Sequence, residues 1–98
     1  MSESIREAIH RKLSGIDRLL ADETAAGSVS VKVEVAKTTA HHRKGGGVFR
    51  AEVMLALPGG IIRVEEEGED LYEILDAVKD MLAERVKQHK ELRREREI

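Results

Sequence analysis

The chain contains no cysteine, which excludes disulfide bonds, thiolate zinc sites and cysteine nucleophiles. Aromatic side chains are nearly absent, since Phe49 and Tyr72 are the only two. This scarcity disfavours a protein that stacks many unpaired bases on aromatic rings. No apolar run approaches the roughly 20 residues of a membrane span, and the charged N-terminal stretch lacks the apolar segment of a signal peptide. We therefore expect a cytoplasmic protein with no membrane partner.

Motifs for catalysis and cofactor binding are missing as well. The glycines at 45–47 are not followed by the Lys-Ser/Thr pair of a phosphate-binding loop, and no G-x-G-x-x-G is present. The adjacent His41 and His42 have no cysteine or carboxylate nearby to complete a metal site. We expect no enzyme activity, no cofactor and no metal.

The charge of the chain is close to balanced overall but is unevenly distributed. The net charge is −2, yet residues 65–76 hold seven acids and no base. The rest of the chain has 17 bases against 12 acids. Such asymmetry favours one surface for an anionic partner and another that faces away from it.

Hydrophobic periodicity predicts five elements in one domain. Alternating residues predict strands at 28–36, 49–57 and 61–66, and Pro58-Gly59-Gly60 predicts a tight turn between the last two. Helical spacing predicts a first helix from a capping box at Ser4 to about Ala21. A second helix is predicted from Asp70 to about Arg96, with residues about 91–98 extending past the core as an extended or frayed helix. The order α-β-β-β-α predicts an α+β fold with two helices packed on one face of an antiparallel sheet.

Basic residues of the second helix form a possible phosphate-binding ridge. At about 100° per residue, four of them share an arc of roughly 80° with Arg93 beside it, namely Lys79, Lys87, Lys90 and Arg94. Such a ridge can hold a nucleic-acid backbone by charge alone, without reading bases. The alternative is a solvated helix face with charge pairs between successive turns. In the loop before the second strand, Arg43 and Lys44 between the His pair and the glycines can also follow a phosphate backbone closely.

The stretch from His41 to Leu82 resembles the ribosome hibernation-promoting factors, also called ribosome-associated inhibitors or sigma modulation proteins. The shared features are an alternating strand, a Pro-Gly hairpin, a second strand, an acidic Gly-containing segment and a helix start of the D-L-Y-x-A-I-D type. Here that start reads Asp70-Leu71-Tyr72-Glu73-Ile74-Leu75-Asp76, which departs at the small Ala. The first helix is similar to that of the family too, so the resemblance covers nearly the whole chain.

The resemblance implies that a single domain over 1–98 binds the small ribosomal subunit through ribosomal RNA and not DNA. Family members lodge in the decoding channel and block the paths of messenger and transfer RNA through basic residues of both helices. Carried over by position, those residues are Lys12 and Arg18 in the first helix and Lys87, Lys90, Arg93 and Arg94 in the second. The family begins with a strand before the first helix, so either the true start of this protein lies upstream or the sheet has three strands and a less protected edge. Longer family members also carry a C-terminal dimerisation domain, which we do not expect here.

Two other interpretations stay open. Double-stranded-RNA-binding domains share the α-β-β-β-α order, but their second helix begins with a Lys-rich cluster where this chain has acids at 65–70. A protein-interaction module without an RNA role would use the acidic patch at 65–76 for a basic partner, or the exposed strand edge for another chain.

Overall fold

The computed structural model of the chain describes residues 3–38 and 48–97, with side chains as far as Glu95. Its elements are α1 (Glu3–Leu13), α2 (Ile16–Leu19), α3 (Ala21–Ala26), β1 (Ser30–Thr38), β2 (Val48–Leu57), β3 (Gly60–Gly68) and α4 (Leu71–Glu97). The predicted α+β class and element order are confirmed. The second helix, predicted to reach about Arg96, is helical as far as Glu97.

The single first helix predicted to reach Ala21 is wrong, because the segment divides into α1, α2 and α3. The first break falls at Ser14 and Gly15. The Ser14 hydroxyl donates to the Arg11 carbonyl at 3.0 Å, and glycine is a poor helix former. The helix also begins at Glu3, so Ser4 lies inside its first turn and not at the predicted cap position.

The three strands form one antiparallel sheet in the order β1-β2-β3. Val33 of β1 lies opposite Val53 of β2, which in turn lies opposite Val64 of β3. The turn between β2 and β3 passes through Gly59 at a φ of 91°, a backbone conformation that favours glycine. The predicted tight turn and hairpin between the last two strands are therefore confirmed.

The core lies between one face of the sheet and α4. The apolar side chains that β2, β3 and α4 present to one another are buried: Ala51, Val53, Leu55, Leu57, Ile62, Val64, Leu71, Ile74, Leu75, Val78, Leu82 and Val86. Phe49, which the alternation of β2 places on the same face, is only half-buried. Burial of this apolar surface is the main force that holds the two layers together. Alongside α4, α1 and α2 pack against the helix and bury Ala8 and Ile16.

The start of α4 is fixed by Asp70. Its Oδ1 accepts hydrogen bonds from the backbone amides of Tyr72 at 2.9 Å and Glu73 at 3.3 Å, which are two of the otherwise unpaired amides of the first turn. From this cap α4 runs for 27 residues, or about 40 Å. The nine-residue strand β3 spans only about 30 Å. The end of α4 therefore extends past the sheet, in a molecule that measures 55 × 25 × 16 Å.

Candidate nucleic-acid interface

The predicted basic ridge lies on the flank of α4 that faces the N-terminal helices. From this flank, Asp76 contacts α1 and Lys90 contacts α3. Lys87 and Arg94 are exposed, whereas Lys79 and Lys90 are partly buried beside the other helices. The ridge is therefore one wall of a seam between α4 and α1–α3.

At the first end of the seam, Lys12, Lys79 and Asp76 form what we call the Asp76 cluster. The Lys12 ammonium lies 2.8 Å from Oδ1 of Asp76, so this predicted RNA-binding residue is already held by a carboxylate. The hydrogen bond from Lys12 is the main cause that lowers the pKa of Asp76, and the positive charges of Lys12 and Lys79 add to it. The structure thus brings Lys12 of α1 and Lys79 of α4, which are far apart in sequence, to the same carboxylate.

At the other end, Glu23 of α3 is enclosed by basic residues of α4, and we call Glu23, Lys90 and Arg93 the Glu23 cluster. Its Oε2 lies 3.8 Å from the Lys90 ammonium and its Oε1 lies 3.7 Å from Nη1 of Arg93. The Glu23 side chain is only 1% exposed, and among the described residues its Oε2 has no hydrogen-bond partner. These contacts fix the position of two predicted RNA-binding residues and offset part of their charge.

Sequence reasoning missed Glu23, although the pattern contained a signal for it. Ile16, Leu20 and Glu23 follow one another at intervals of four and three residues, which places Glu23 on the buried stripe. A buried carboxylate requires a charged or hydrogen-bonded partner. The sequence does not identify that partner, because it does not show that α3 contacts the end of α4.

Arg94 completes the second end of the seam. It lines a cleft of about 210 Å³ together with Asp22, Glu23, Lys90 and Arg93. The distance from Lys79 to Lys90 along the helix is about 16 Å, since eleven residues separate them. Exposed and partly exposed cations thus follow α4 over a length sufficient for several phosphate contacts.

The remaining predicted site residues lie apart from these clusters. Arg18 is exposed on the short helix α2. Arg43 and Lys44, with the His pair beside them, fall in 39–47 and so lie outside the described residues. Their predicted contribution to RNA binding stays a prediction.

The outer face of the sheet carries a different pattern of charge. Arg50 of β2 contacts Glu52 at 3.3 Å, Glu65 directly and Glu67 at 3.7 Å, and Arg63 lies 3.7 Å from Glu52. The hydrogen bond to Glu65 is the main cause that raises the pKa of Arg50. Part of the predicted acidic patch is therefore paired with cations of the same sheet.

Within 3–38 and 48–97, no group of three or more His, Asp or Glu side chains is placed to hold a metal ion. None of the helices described there is long and apolar enough to cross a membrane.

Comparison with known proteins identifies a family and relatives of known structure. The family model described as sigma 54 modulation protein / S30EA ribosomal protein matches residues 1–94. A ribosome hibernation promotion factor from Deinococcus radiodurans is 32% identical over 90 residues, which are 92% of this chain and 44% of that protein. The chain thus spans less than half the length of this curated relative. Among solved structures, the N-terminal domain of Thermus thermophilus Protein Y is 32% identical with a TM-score of 0.63, over 90% of this chain and 84% of that one.

Proposed function

Because the chain belongs to the sigma 54 modulation protein / S30EA ribosomal protein family, we propose that it binds the ribosome and inhibits translation or preserves idle ribosomes. The curated relative is named a ribosome hibernation promotion factor, which supports this function. The function requires binding and no catalysis, as the sequence predicted. A cytoplasmic location follows from the proposal, since ribosomes are there.

We place the contact with the ribosome on the small subunit, at ribosomal RNA near the decoding channel. The observation that carries this proposal is the seam, where cations of α1 and α4 are held in fixed positions along one flank. Lys12, Lys90 and Arg93 are positioned by carboxylates, while Lys87 and Arg94 remain exposed for phosphate. Positioned cations lose less side-chain freedom when they bind a phosphate than mobile ones do.

The interaction-module alternative receives less support from the structure. Glu65 and Glu67 are paired with Arg50, so the acidic patch offers less free charge to a basic partner than the sequence indicated. The acids before α4 also include Asp70, whose carboxylate is used to cap the helix.

Co-sedimentation of the chain with purified small subunits tests the proposal. We expect pelleting at low salt that weakens as salt is raised, because each phosphate contact releases counterions. Arg94→Glu should weaken the association by about tenfold, since one exposed cation is replaced by an anion.

Arg85→Glu is the matched control. Arg85 is also an exposed arginine of α4, but it lies about 180° around the helix from Arg94. The same change of charge there should leave pelleting nearly unaltered. Equal losses for both variants would show that only net charge matters, and no pelleting of the parent chain at low salt would refute the proposed function.

A further inference from the structure

The strand β1 has an open edge that the rest of the described chain does not cover. It pairs with β2 over all nine residues from Ser30 to Thr38, and within 3–38 and 48–97 no strand lies on its other side. It contains no proline, and its register with β2 has no bulge. Such an edge presents a row of backbone amides and carbonyls that another strand can pair with.

The apolar side of this edge is also incompletely covered. Val31 is 53% exposed, although it lies on the inward face of the sheet opposite Leu55. Beside it runs a groove of about 410 Å³ between the α2–α3 segment and the start of β1, lined by Asp17, Leu20, Ala21, Thr24, Val29 and Val31. An additional strand at the edge would cover this exposed valine.

We propose that the occupant of this edge is a second copy of the same chain, with the two β1 strands antiparallel and a two-fold axis at Val33. The sequence of β1 is self-complementary in this register. Lys32 of each copy lies opposite Glu34 of the other on the outer face, so two cross-strand ion pairs form at once. Opposite charges directly across an antiparallel pair stabilise it.

Neighbouring registers lack this complementarity. A shift of the axis by one residue places Lys32 opposite Lys32, or Glu34 opposite Glu34, and like charges in these positions are destabilising. A register with the axis between residues turns one copy's apolar face toward the solvent side of the other. Charge and burial therefore select the same register.

The environment of the two charged residues in one copy agrees with this arrangement. Nζ of Lys32 lies 3.1 Å from Oε1 of Glu34 on the same strand, and the two side chains are 65% and 60% exposed. Both are therefore accessible to form ion pairs with a second copy instead. Within the sheet, Glu34 lies opposite Glu52, which is a like-charge pair. Lys32 of a second copy would place a cation on the open side of Glu34 and offset that repulsion.

The inward face is complementary as well. In the same register Val31 of one copy lies opposite Val35 of the other, and Val29 lies opposite Lys37. Since Asp17 lines the groove next to Val29, Lys37 of the second copy would approach a carboxylate there. The α2–α3 segments of the two copies lie at opposite ends of the paired β1 strands, because these strands are antiparallel. They therefore do not compete for the same space.

Charge reversal combined with mixing tests the proposal. Sedimentation equilibrium of the parent chain over a wide range of concentration should show a monomer–dimer equilibrium. Lys32→Glu alone and Glu34→Lys alone should each weaken dimerisation by about tenfold or more, because both cross-strand pairs become repulsive. An equimolar mixture of the two variants should dimerise again, since positions 32 and 34 then carry opposite charges across both cross-strand pairs. For the same reason, the double variant Lys32→Glu/Glu34→Lys should dimerise like the parent.

Lys87→Glu is the control, because it makes the same change at an exposed site on α4 and should leave dimerisation unaltered. Circular dichroism of every variant verifies the fold. A mass of one chain at every concentration for the parent would overturn the proposal, and so would a mixture that associates no better than its components. The test contains no ribosome, so its outcome is independent of the proposed function.

Discussion

Glu23 is the residue whose environment departs furthest from that of an ordinary surface acid. A carboxylate that is 1% exposed and lies between Lys90 and Arg93 stabilises the contact of α3 with α4. We expect Glu23→Gln to lower the free energy of unfolding by about 1–3 kcal/mol, because two partly buried cations lose their counter-charge. Denaturant unfolding measures this loss.

The same substitution, Glu23→Gln, lowers stability but should strengthen ribosome binding. Removal of the Glu23 charge leaves Lys90 and Arg93 less well positioned but with more positive potential for phosphate. We expect the gain of one net positive charge to be the larger effect, so co-sedimentation should persist to higher salt. Asp22→Asn is the control for stability, since Asp22 is an exposed neighbour and should change the free energy of unfolding by less than about 0.5 kcal/mol. A Glu23→Gln variant as stable as Asp22→Asn would show that the buried contacts contribute nothing.

The contact between Asp76 and Lys12 predicts how the free energy of unfolding changes at acid pH. Its pKa is lowered from an ordinary value of 3.8, mainly by the hydrogen bond from Lys12. A carboxyl with a lowered folded-state pKa stabilises the fold above its unfolded pKa, and this stabilisation is lost as pH falls through the folded-state pKa. The parent chain should thus be more stable than Asp76→Asn at neutral pH, and the difference should vanish as pH falls well below 3.8.

Urea unfolding of the two proteins at neutral and at acid pH measures that difference. Asp80→Asn provides the control, because Asp80 is an exposed aspartate of the same helix. A difference between parent and Asp76→Asn that persists unchanged at the lowest pH would contradict the assignment to the Lys12 contact.

At the scale of the element, the backbone conformation requires glycine at one connection, Gly59, and does not require it at another, Gly15. Gly59 has a φ of 91°, so Gly59→Ala should cost about 1 kcal/mol of folding free energy. Gly15 has a helical backbone with φ −65° and ψ −19°, and a Cβ there would meet nothing within 4 Å. Gly15→Ala should therefore stabilise the chain by about 0.4–1 kcal/mol. Thermal unfolding of both variants checks the two signs, and a loss of stability from Gly15→Ala would show that the break after α1 needs glycine.

Elements with strong periodicity were predicted well from the sequence. The alternation of β2 and β3 and the stripe of α4 each identified the buried face, because a single repeat decides which side chains meet the core. The first helix was predicted less well, since Ile16 and Leu20 keep the helical spacing across the break at Ser14 and Gly15. Spacing alone does not reveal a break in a helix when the residues on both sides of the break stay on the buried face.

The candidate site was predictable only in part, for a related reason. The basic arc of α4 follows from helical geometry within one element, so the sequence alone places its residues on one flank of the helix. The contacts of Lys12 with Asp76 and of Glu23 with Lys90 join elements far apart in sequence. No local pattern specifies such pairs, because they depend on how α1–α3 pack against α4.

At the scale of the whole molecule, the proposed function predicts a particular dependence on salt. The logarithm of the binding constant should fall linearly with the logarithm of salt concentration, with a slope that reflects the number of phosphates contacted. The double variant Lys87→Glu/Arg94→Glu should reduce this slope by roughly 1.4–1.8, because each lost contact removes about 0.7–0.9. Titration of labelled chain against small subunits at several salt concentrations measures it, and an unchanged slope would place the contact elsewhere.

The overhang of α4 has a consequence that does not depend on charge. Its last fully buried apolar residue is Val86, yet the helix continues to Glu97. The helix α3 accompanies α4 as far as Lys90 and Arg93, so only the last turn of α4 has the width of a single helix. A single helix with its side chains is about 10–12 Å across, whereas the molecule measures 25 Å in its second dimension. An opening of a width between these two values would admit the last turn of α4 and stop the rest of the molecule.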